Sequence, residues 1–213
     1  MTQILFPTNE SITKVNPRAF ELGQFVQKMT EGYYSYLAAM TIASDPRASA
    51  LIPEVEAGQI VSVGRITKNG KTQHTYDFLH HLNLVKNDIF IEEHLKHIWI
   101  SGALLKIGDA LSCYGYFDRA PELELVRHLR NGIAHGNIFR IDNPKNLIKF
   151  PAHNKIAWVR NETKSDFVID ENLNGLPVLF EFMSEADVLE LFMSVSIYLI
   201  GMGNGDQMRP QYE

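Results

Sequence analysis

The stretch LVRHLRNGIAHGNIFR, residues 125 to 140, decides how the fold and the function of this chain are interpreted. Its leucines and valine continue an amphipathic helix, and Gly136 with Asn137 is typical of a helix C-terminus. Arg130, Asn131 and His135 lie at that end of the helix. They form either a cationic helix tip, which the helix dipole stabilises, or a small catalytic site.

Apolar residues at three- and four-residue spacing predict further helices on both sides of this stretch. The predicted ranges are 16–43, 45–57, 76–84, 87 or 88–113, 121–135 and 184–200. Asn16-Pro17 is a start signal, because asparagine caps a helix well and proline suits the first helical position. Ser184 with Asp187 resembles a capping box. The helix ending at residue 113 is apolar on almost all sides, so we expect it at the centre of a bundle.

Two segments of the chain favour strands. Asn69-Gly70 is a hairpin turn signal, so residues 58–75 form either a small hairpin or a long loop. The runs KIAWVRN, DFVID and PVLFEF, between residues 155 and 182, are β-rich and separated by polar turns. They predict a hairpin or a short meander before the last helix. The expected fold is therefore mainly α, a helical bundle in one domain over residues 1–213, with a β-rich insertion at 155–182.

Length and composition exclude several classes of protein. The 213 residues are 45% hydrophobic and 21% charged, which suffices for one domain with its own core. Cys113 is the only cysteine, so no disulfide can form within the chain, and a buried structural thiol is expected. No signal-peptide pattern or glycine-rich phosphate loop is seen, and the longest apolar stretch falls short of the ~20 residues of a membrane helix. We expect a soluble, cytoplasmic protein without a membrane segment.

Positive charge is concentrated around the opening stretch, although the net charge of the chain is −5. Between residues 127 and 164 there are eight lysines and arginines but only two acidic residues. Local positive charge can hold a phosphate backbone even on an acidic protein. The alternative is an ordinary solvated surface. The candidate RNA-binding residues are Arg127, His128, Arg140, Lys145 and Lys149.

The residue types at 130–135 match the needs of RNA cleavage without a metal. An imidazole can take a proton from the 2′-hydroxyl or give one to the leaving 5′-oxygen. A guanidinium stabilises charge on the phosphoryl oxygens, and an asparagine can orient the imidazole. On a straight helix Arg130 and His135 would lie ~140° apart in angle and ~7.5 Å apart along the axis, so they would not converge. Either the helix loosens at Gly132 or Gly136, or a second copy related by a two-fold axis completes the site.

The segment LRNGIAHGN resembles the signature of the HEPN superfamily, which is an arginine, a polar follower and then a histidine after four to six intervening residues. Arg130, Asn131 and His135 match these positions. The close resemblance is confined to this segment, and the β-rich segment departs from a plain helical bundle. The resemblance implies an α-helical bundle and frequent homodimers, with the motifs facing each other across the interface. In many members it also implies a metal-independent endoribonuclease of toxin–antitoxin, phage-defence or RNA-processing systems.

The resemblance therefore predicts a cytoplasmic, homodimeric endoribonuclease that needs no metal or other cofactor. His135 is expected to act as general acid or base, Arg130 as phosphate binder and Asn131 as orienting residue. RNA is the expected substrate, and a neutralising partner protein is a further expectation because a free ribonuclease harms its host. The alternative is a non-catalytic HEPN-like module for RNA binding or dimerisation.

Two further groups of residues have mainly structural interpretations. His94 and His97 lie three residues apart on the predicted central helix, but no HExxH pattern or third ligand accompanies them. A packed or surface pair is therefore expected. Tyr114, Tyr116 and Phe117 could stack on bases, but we expect them to pack the turn between two helices.

Overall fold

A computed structural model describes residues 15–48, 60–67, 70–155 and 166–206, and helices dominate these residues. The helices are α1 Pro17–Ser44, α2 Phe78–Asn87, α3 Ile89–Cys113, α4 Pro121–Ala134, α5 Lys145–Lys149 and α6 Glu185–Asn204. Strands β1 Ile60–Thr67 and β2 Gly70–Asp77 pair antiparallel. Short 3-10 turns lie at Phe117–Arg119 and Glu171–Leu173. The prediction of a mainly α fold is confirmed.

Helix starts follow the predicted capping residues. The Asn16 side chain accepts a hydrogen bond from the Ala19 amide at 3.2 Å, and Asp88 accepts one from the Phe90 amide at 3.0 Å. Ser184 begins α6 with a full capping box. These caps satisfy amides that a helix start leaves without backbone partners, which explains why the sequence located these starts to within a residue or two.

The chain divides into two compact units, one made of Met1–Thr30 with Ala103–Glu213 and the other of Glu31–Gly102. The single domain expected from the sequence stays a prediction. In the first unit, the second half of α3, α4 and α6 supply a core of fully buried side chains. Among them are Leu104, Ile107, Leu111, Leu125, Leu129, Phe192 and Val195.

The second unit contains the hairpin, α2 and the neighbouring parts of α1 and α3. Residues 60–67 and 70–77 pair as a hairpin, one of the two expected alternatives, with Thr67 paired to Gly70. Tyr33 is fully buried, and its ring centroid lies 5.2 Å from that of Trp99. Ile98, one residue away, is 68% exposed, so this half of α3 is not buried on all sides as expected. Residues 49–57, which hold most of the second predicted helix of 45–57, lie outside the described residues.

The strands expected over residues 155–182 are not formed within residues 166–182. That segment makes isolated bridges, His153 with Val168, Ile138 with Pro177 and Leu179 with Met183. Its backbone hydrogen bonds are divided between the loops after α4 and turns within residues 166–183, and Phe180 adopts a φ of +71°, which interrupts extended structure. Residues 156–165, which hold most of the first β-rich run, lie outside the described residues.

Helix α6 is the one helix in the described part of the chain that is long and apolar enough to cross a membrane, and more than half of its apolar window is buried inside the protein. The Ser196 hydroxyl donates to the Gly23 carbonyl at 2.9 Å, and the Tyr198 hydroxyl donates to the Arg119 carbonyl at 2.8 Å. Burial and tertiary hydrogen bonds of this kind make α6 a core helix of the first unit.

Candidate functional site

Helix α4 and the residue that caps it carry the three residues of the motif. Pro121 occupies the first turn, where its missing amide proton is not needed. Every residue of the first six is buried, namely Pro121, Glu122, Leu123, Glu124, Leu125 and Val126. Asn131, near the other end, is exposed. A helix anchored at one end in this way holds its last turn in a defined position at the surface.

Arg130 is held by an acidic residue that the sequence analysis did not single out. Oδ1 of Asp109, on α3, accepts from Nε of Arg130 at 2.9 Å and from Nη2 at 2.6 Å. Nη1 of Arg130 donates to Oδ1 of Asn131 at 3.2 Å. The Arg130 side chain is 33% exposed and that of Asp109 is 57% exposed. The guanidinium is therefore fixed in direction while it remains accessible from solvent.

The stem of Arg130 lies against Gly108. A Cβ atom at Gly108 would be 2.7 Å from Cβ and 2.5 Å from Cγ of Arg130, closer than such atoms pack. Only glycine allows α4 to place Arg130 across α3 in this way. Gly108-Asp109 interrupts the apolar pattern of α3, and this was the one signal in the sequence that pointed to a polar contact here.

His135 lies one residue beyond α4. Its φ of −111° and ψ of 30° leave the helical region, and its amide donates to the Gly132 carbonyl at 3.1 Å. The residue is exposed, and within the described residues its imidazole makes no hydrogen bond. Asn131 was expected to orient this ring, but its side-chain oxygen accepts from Arg130 instead.

The helix was expected to loosen at Gly132 or Gly136 if one chain was to bring the motif together, and it does not loosen at Gly132. Helix α4 continues through Ala134, and Gly132 is buried against Val178 and the Ile138 carbonyl. The chain turns only after the helix, at Gly136 with a φ of +88°. Arg130 therefore keeps its place on a regular helix, and the change of direction falls at His135 and the residues after it.

The side chain of Asn137 stabilises the turn that follows α4. The residue adopts a φ of +64°, and its side chain accepts from the Leu179 amide at 2.9 Å and donates to the Leu179 carbonyl at 3.2 Å. Its own carbonyl accepts from the Val178 amide at 3.0 Å. Gly136 and Asn137 thus end the helix as predicted, and the bonds of Asn137 to residues 178 and 179 are what the tertiary structure adds.

Arg127 and His128 are not free surface cations. Nη2 of Arg127 lies 2.6 Å from a carboxylate oxygen of Glu124, a residue that is only 1% exposed. Burial raises the pKa of the Glu124 carboxyl to about 7, although the charge of Arg127 opposes the shift. Burial and then the Arg127 charge lower the pKa of His128 to about 4, so that His128 is neutral at pH 7 and offers a phosphate no positive charge.

Arg140, Lys145 and Lys149 are exposed, as a phosphate-binding surface requires. The two lysines lie on α5, a short helix that the sequence did not predict. The Asn143 side chain accepts from the Lys145 amide at 3.2 Å, and Nζ of Lys149 lies 4.9 Å from the Phe150 ring centroid. The charges of these side chains remain accessible.

The other candidate residues take structural positions. His94 has its Nδ1 2.6 Å from the Phe90 carbonyl, and no group of three or more potential metal ligands occurs among the residues that the structure describes. Tyr116 is buried and donates to Asn16 at 3.1 Å, while Arg18 lies over the ring of exposed Tyr114 at 4.6 Å. Cys113 is exposed, whereas a buried thiol was expected.

The chain matches no protein-family model, no curated protein and no solved structure. The class of protein is therefore defined by the fold and the site alone. It is a mainly helical protein with an oriented, accessible arginine near the end of one helix and an exposed histidine at the cap of the same helix.

Proposed function

We propose that the chain is a metal-independent endoribonuclease of the HEPN type that acts as a homodimer in the cytoplasm. One observation carries the proposal: Asp109 and Asn131 fix the Arg130 guanidinium at the surface, and an exposed imidazole, His135, follows at the end of the same helix. A helix tip that served only to balance a helix dipole would not need an arginine held in one direction. A phosphate-binding site does need one.

The chemistry that these groups support is transfer of a phosphoryl group within RNA, from the 5′-oxygen to the neighbouring 2′-oxygen. The imidazole of His135 takes the proton of a 2′-hydroxyl, and the resulting oxygen attacks the neighbouring phosphorus. The bond to the 5′-oxygen breaks, and a second acid protonates that oxygen. Arg130 stabilises the charge on the non-bridging oxygens. The products are a 2′,3′-cyclic phosphate and a 5′-hydroxyl, and DNA cannot react because it lacks the 2′-hydroxyl.

A homodimer supplies the second acid. One chain offers one motif histidine, and Arg130 and His135 are separated by more than a helical turn along α4. Because α4 stays regular through Ala134 and the chain turns only at His135 and Gly136, we propose that a second copy across a two-fold axis completes the site. One His135 then removes a proton and the other supplies one.

RNA is the proposed partner along a wider surface. Arg140, Lys145 and Lys149 are exposed near the motif in sequence and would contact backbone phosphates. Binding would then weaken as salt is raised, because phosphate contacts release counterions. We place such an enzyme in a toxin–antitoxin or phage-defence setting, where a neutralising partner protein restrains the activity.

The test compares RNA cleavage by the wild type with that by His135→Ala and Arg130→Ala, all in EDTA. His94→Ala is the matched control, since it removes another exposed histidine from a helix outside the site. We expect the wild type and the control to cut RNA but not DNA of the same sequence, and both site variants to lose activity by at least about a hundredfold. Equal cleavage by wild type and His135→Ala would refute the proposal.

A non-catalytic RNA-binding or dimerisation module is the second candidate. It is favoured by the neutralisation of the Arg130 charge by Asp109 and by the lack of an orienting partner for His135 within the described residues. A module of this kind would bind RNA without cutting it. Binding would persist in His135→Ala and be lost when Lys145 and Lys149 are both replaced by alanine.

A further inference from the structure

We propose that Asp109 is the positioning residue of this site, and that it turns the Arg130 guanidinium so that its η nitrogens face the phosphate. The inference rests on the proposed function and assigns a role to a residue outside the motif. It begins from the two hydrogen bonds that a single oxygen, Oδ1 of Asp109, accepts from Nε and Nη2 of Arg130.

The pattern of hydrogen bonds determines which side of the guanidinium is left for a ligand. An arginine has five N–H donors. Asp109 takes the one on Nε and one on Nη2, and Asn131 takes one on Nη1. One N–H on each η nitrogen is then without a partner among the residues that the structure describes. The free donor on Nη2 points to the far end of the group, since the other Nη2 proton bonds Asp109 beside Nε, and with the free donor on Nη1 it suits the oxygens of one phosphate.

Asn131 extends the same donor surface. Because its oxygen accepts from Arg130, its amide nitrogen carries the two protons that are left to interact with a ligand. Asn131 is exposed, so these protons are accessible. The groups of Arg130 and Asn131 that are left for a phosphate are therefore donors, and the Asp109 carboxylate is bound to the Nε–Nη2 edge of the guanidinium.

The position of Asp109 distinguishes positioning from masking. A carboxylate that masked the outer end of the arginine would bridge Nη1 and Nη2 and so mimic the phosphate. Asp109 instead bonds Nε and Nη2 along one edge of the guanidinium and does not bridge Nη1 and Nη2, and the stem of Arg130 packs against Gly108, which lies on the same helix as Asp109. The guanidinium is thus restrained at this edge and along its stem, while its outer end stays available.

The solvent exposure of the Asp109–Arg130 ion pair indicates that it contributes little to the free energy of folding. Asp109 is 57% exposed and Arg130 is 33% exposed, and ion pairs as exposed as this contribute little to folding. The effect of Asp109 should therefore appear in the reaction rather than in the melting temperature. Because an oriented donor acts mainly in the transition state, its loss should lower kcat.

The experiment measures RNA cleavage and stability for Asp109→Ala and Asp109→Asn, with Asp142→Ala as a control that removes one exposed negative charge from the same unit. We expect Asp109→Ala to lower kcat by about ten- to a hundredfold. Its KM should be unchanged or lower, because a negative charge beside the phosphate is gone. Asp109→Asn, which keeps an acceptor oxygen, should retain more activity, and Tm should change by less than about 3 °C.

Two outcomes would overturn the inference while leaving the proposed function intact. If Asp109→Ala cleaves as fast as the wild type, Asp109 has no positioning role. If it cleaves faster, Asp109 masks the arginine. In both cases His135→Ala would still be inactive, so the failure of the inference and the failure of the proposed function can be told apart.

A second measurement decides the inference if the wild type cleaves no RNA at all and the proposed function fails. In protein labelled with 15N arginine, the Nε–H signal of Arg130 should be protected from solvent exchange in the wild type and in Asp142→Ala, and lost in Asp109→Ala. Addition of a 2′-O-methyl oligonucleotide, which has no reactive hydroxyl, should leave that signal protected while it shifts the η signals. A displaced or unprotected Nε–H in the wild type would overturn the inference.

Discussion

The side chain of Arg130 passes over Gly108 so closely that a Cβ atom added to the glycine would lie 2.7 Å from Cβ of the arginine. Two helices meet at this point, and the glycine on α3 determines where the guanidinium on α4 can lie. The candidate site therefore depends on a residue that takes no part in its chemistry.

Gly108→Ala is expected to reduce RNA cleavage by at least about tenfold, because it displaces the stem of Arg130 and small displacements of catalytic groups are costly. Gly102→Ala is the matched control, since an added Cβ there meets nothing within 4 Å and lies on the same helix. Both substitutions raise helix propensity equally, by about 0.5–1 kcal/mol. Steady-state cleavage of one RNA by both variants checks this, and equal rates would show that Arg130 needs no such placement.

Asn137→Ala is expected to lower the free energy of unfolding by roughly 2–4 kcal/mol. The change removes two hydrogen bonds to the Leu179 backbone and puts alanine at a positive φ. Asn137→Gly loses the hydrogen bonds but tolerates the backbone, so its loss should be smaller by about 1 kcal/mol. Urea unfolding measures both. If the two variants are equally stable, the backbone conformation of Asn137 carries no cost.

His128→Phe is expected to flatten the loss of stability in acid. Because the pKa of His128 is lowered to about 4 in the folded state, the unfolded chain binds more protons between pH 6.5 and pH 4. Folding therefore weakens as pH falls through that range, by at most roughly 3 kcal/mol from this residue. Unfolding at several pH values should show the stability of the variant rising relative to the wild type as pH falls. A difference that stays constant with pH would contradict the assignment.

Glu124→Gln is expected to change the pH dependence of stability in the opposite sense to His128→Phe. The folded-state pKa of Glu124 is raised to about 7, so the folded protein binds more protons than the unfolded chain between pH 4.5 and pH 7. Stability from this group is therefore lost as pH rises through that range, by at most about 3 kcal/mol. Relative to the wild type, the variant should gain stability between those two pH values and gain nothing further above them. If the stability difference between the variant and the wild type stays constant between pH 4.5 and pH 7, the pKa of Glu124 is not raised in the folded protein.

Helix positions were predictable because they depend on local chemistry. Asn16, Asp88 and Ser184 cap their helices as their residue types indicate, and β1 and β2 pair as the hairpin that the Asn69-Gly70 signal predicts. Caps and tight turns depend on interactions within a few residues, so the amino-acid sequence alone is enough to predict them.

The parts that sequence reasoning missed are those that depend on distant partners. Asp109 and Arg130 are 21 residues apart, and nothing in local pattern links them. The β-rich runs near residues 166–182 have strand-forming residues, but their backbone hydrogen bonds are divided between the loops after α4 and turns within the segment. His128 looked like a cation because sequence does not show burial. Strand propensity and charge each depend on surroundings that the fold supplies.

The measurement that tests the central claim most directly is the identity of the RNA ends made by purified wild type and His135→Ala in EDTA. Mass spectrometry of the products from a defined oligonucleotide should find 2′,3′-cyclic phosphate and 5′-hydroxyl ends for the wild type. It should find no products for His135→Ala and none from the 2′-O-methyl version of the same oligonucleotide. Products with other ends, or products that persist in His135→Ala, would contradict the account.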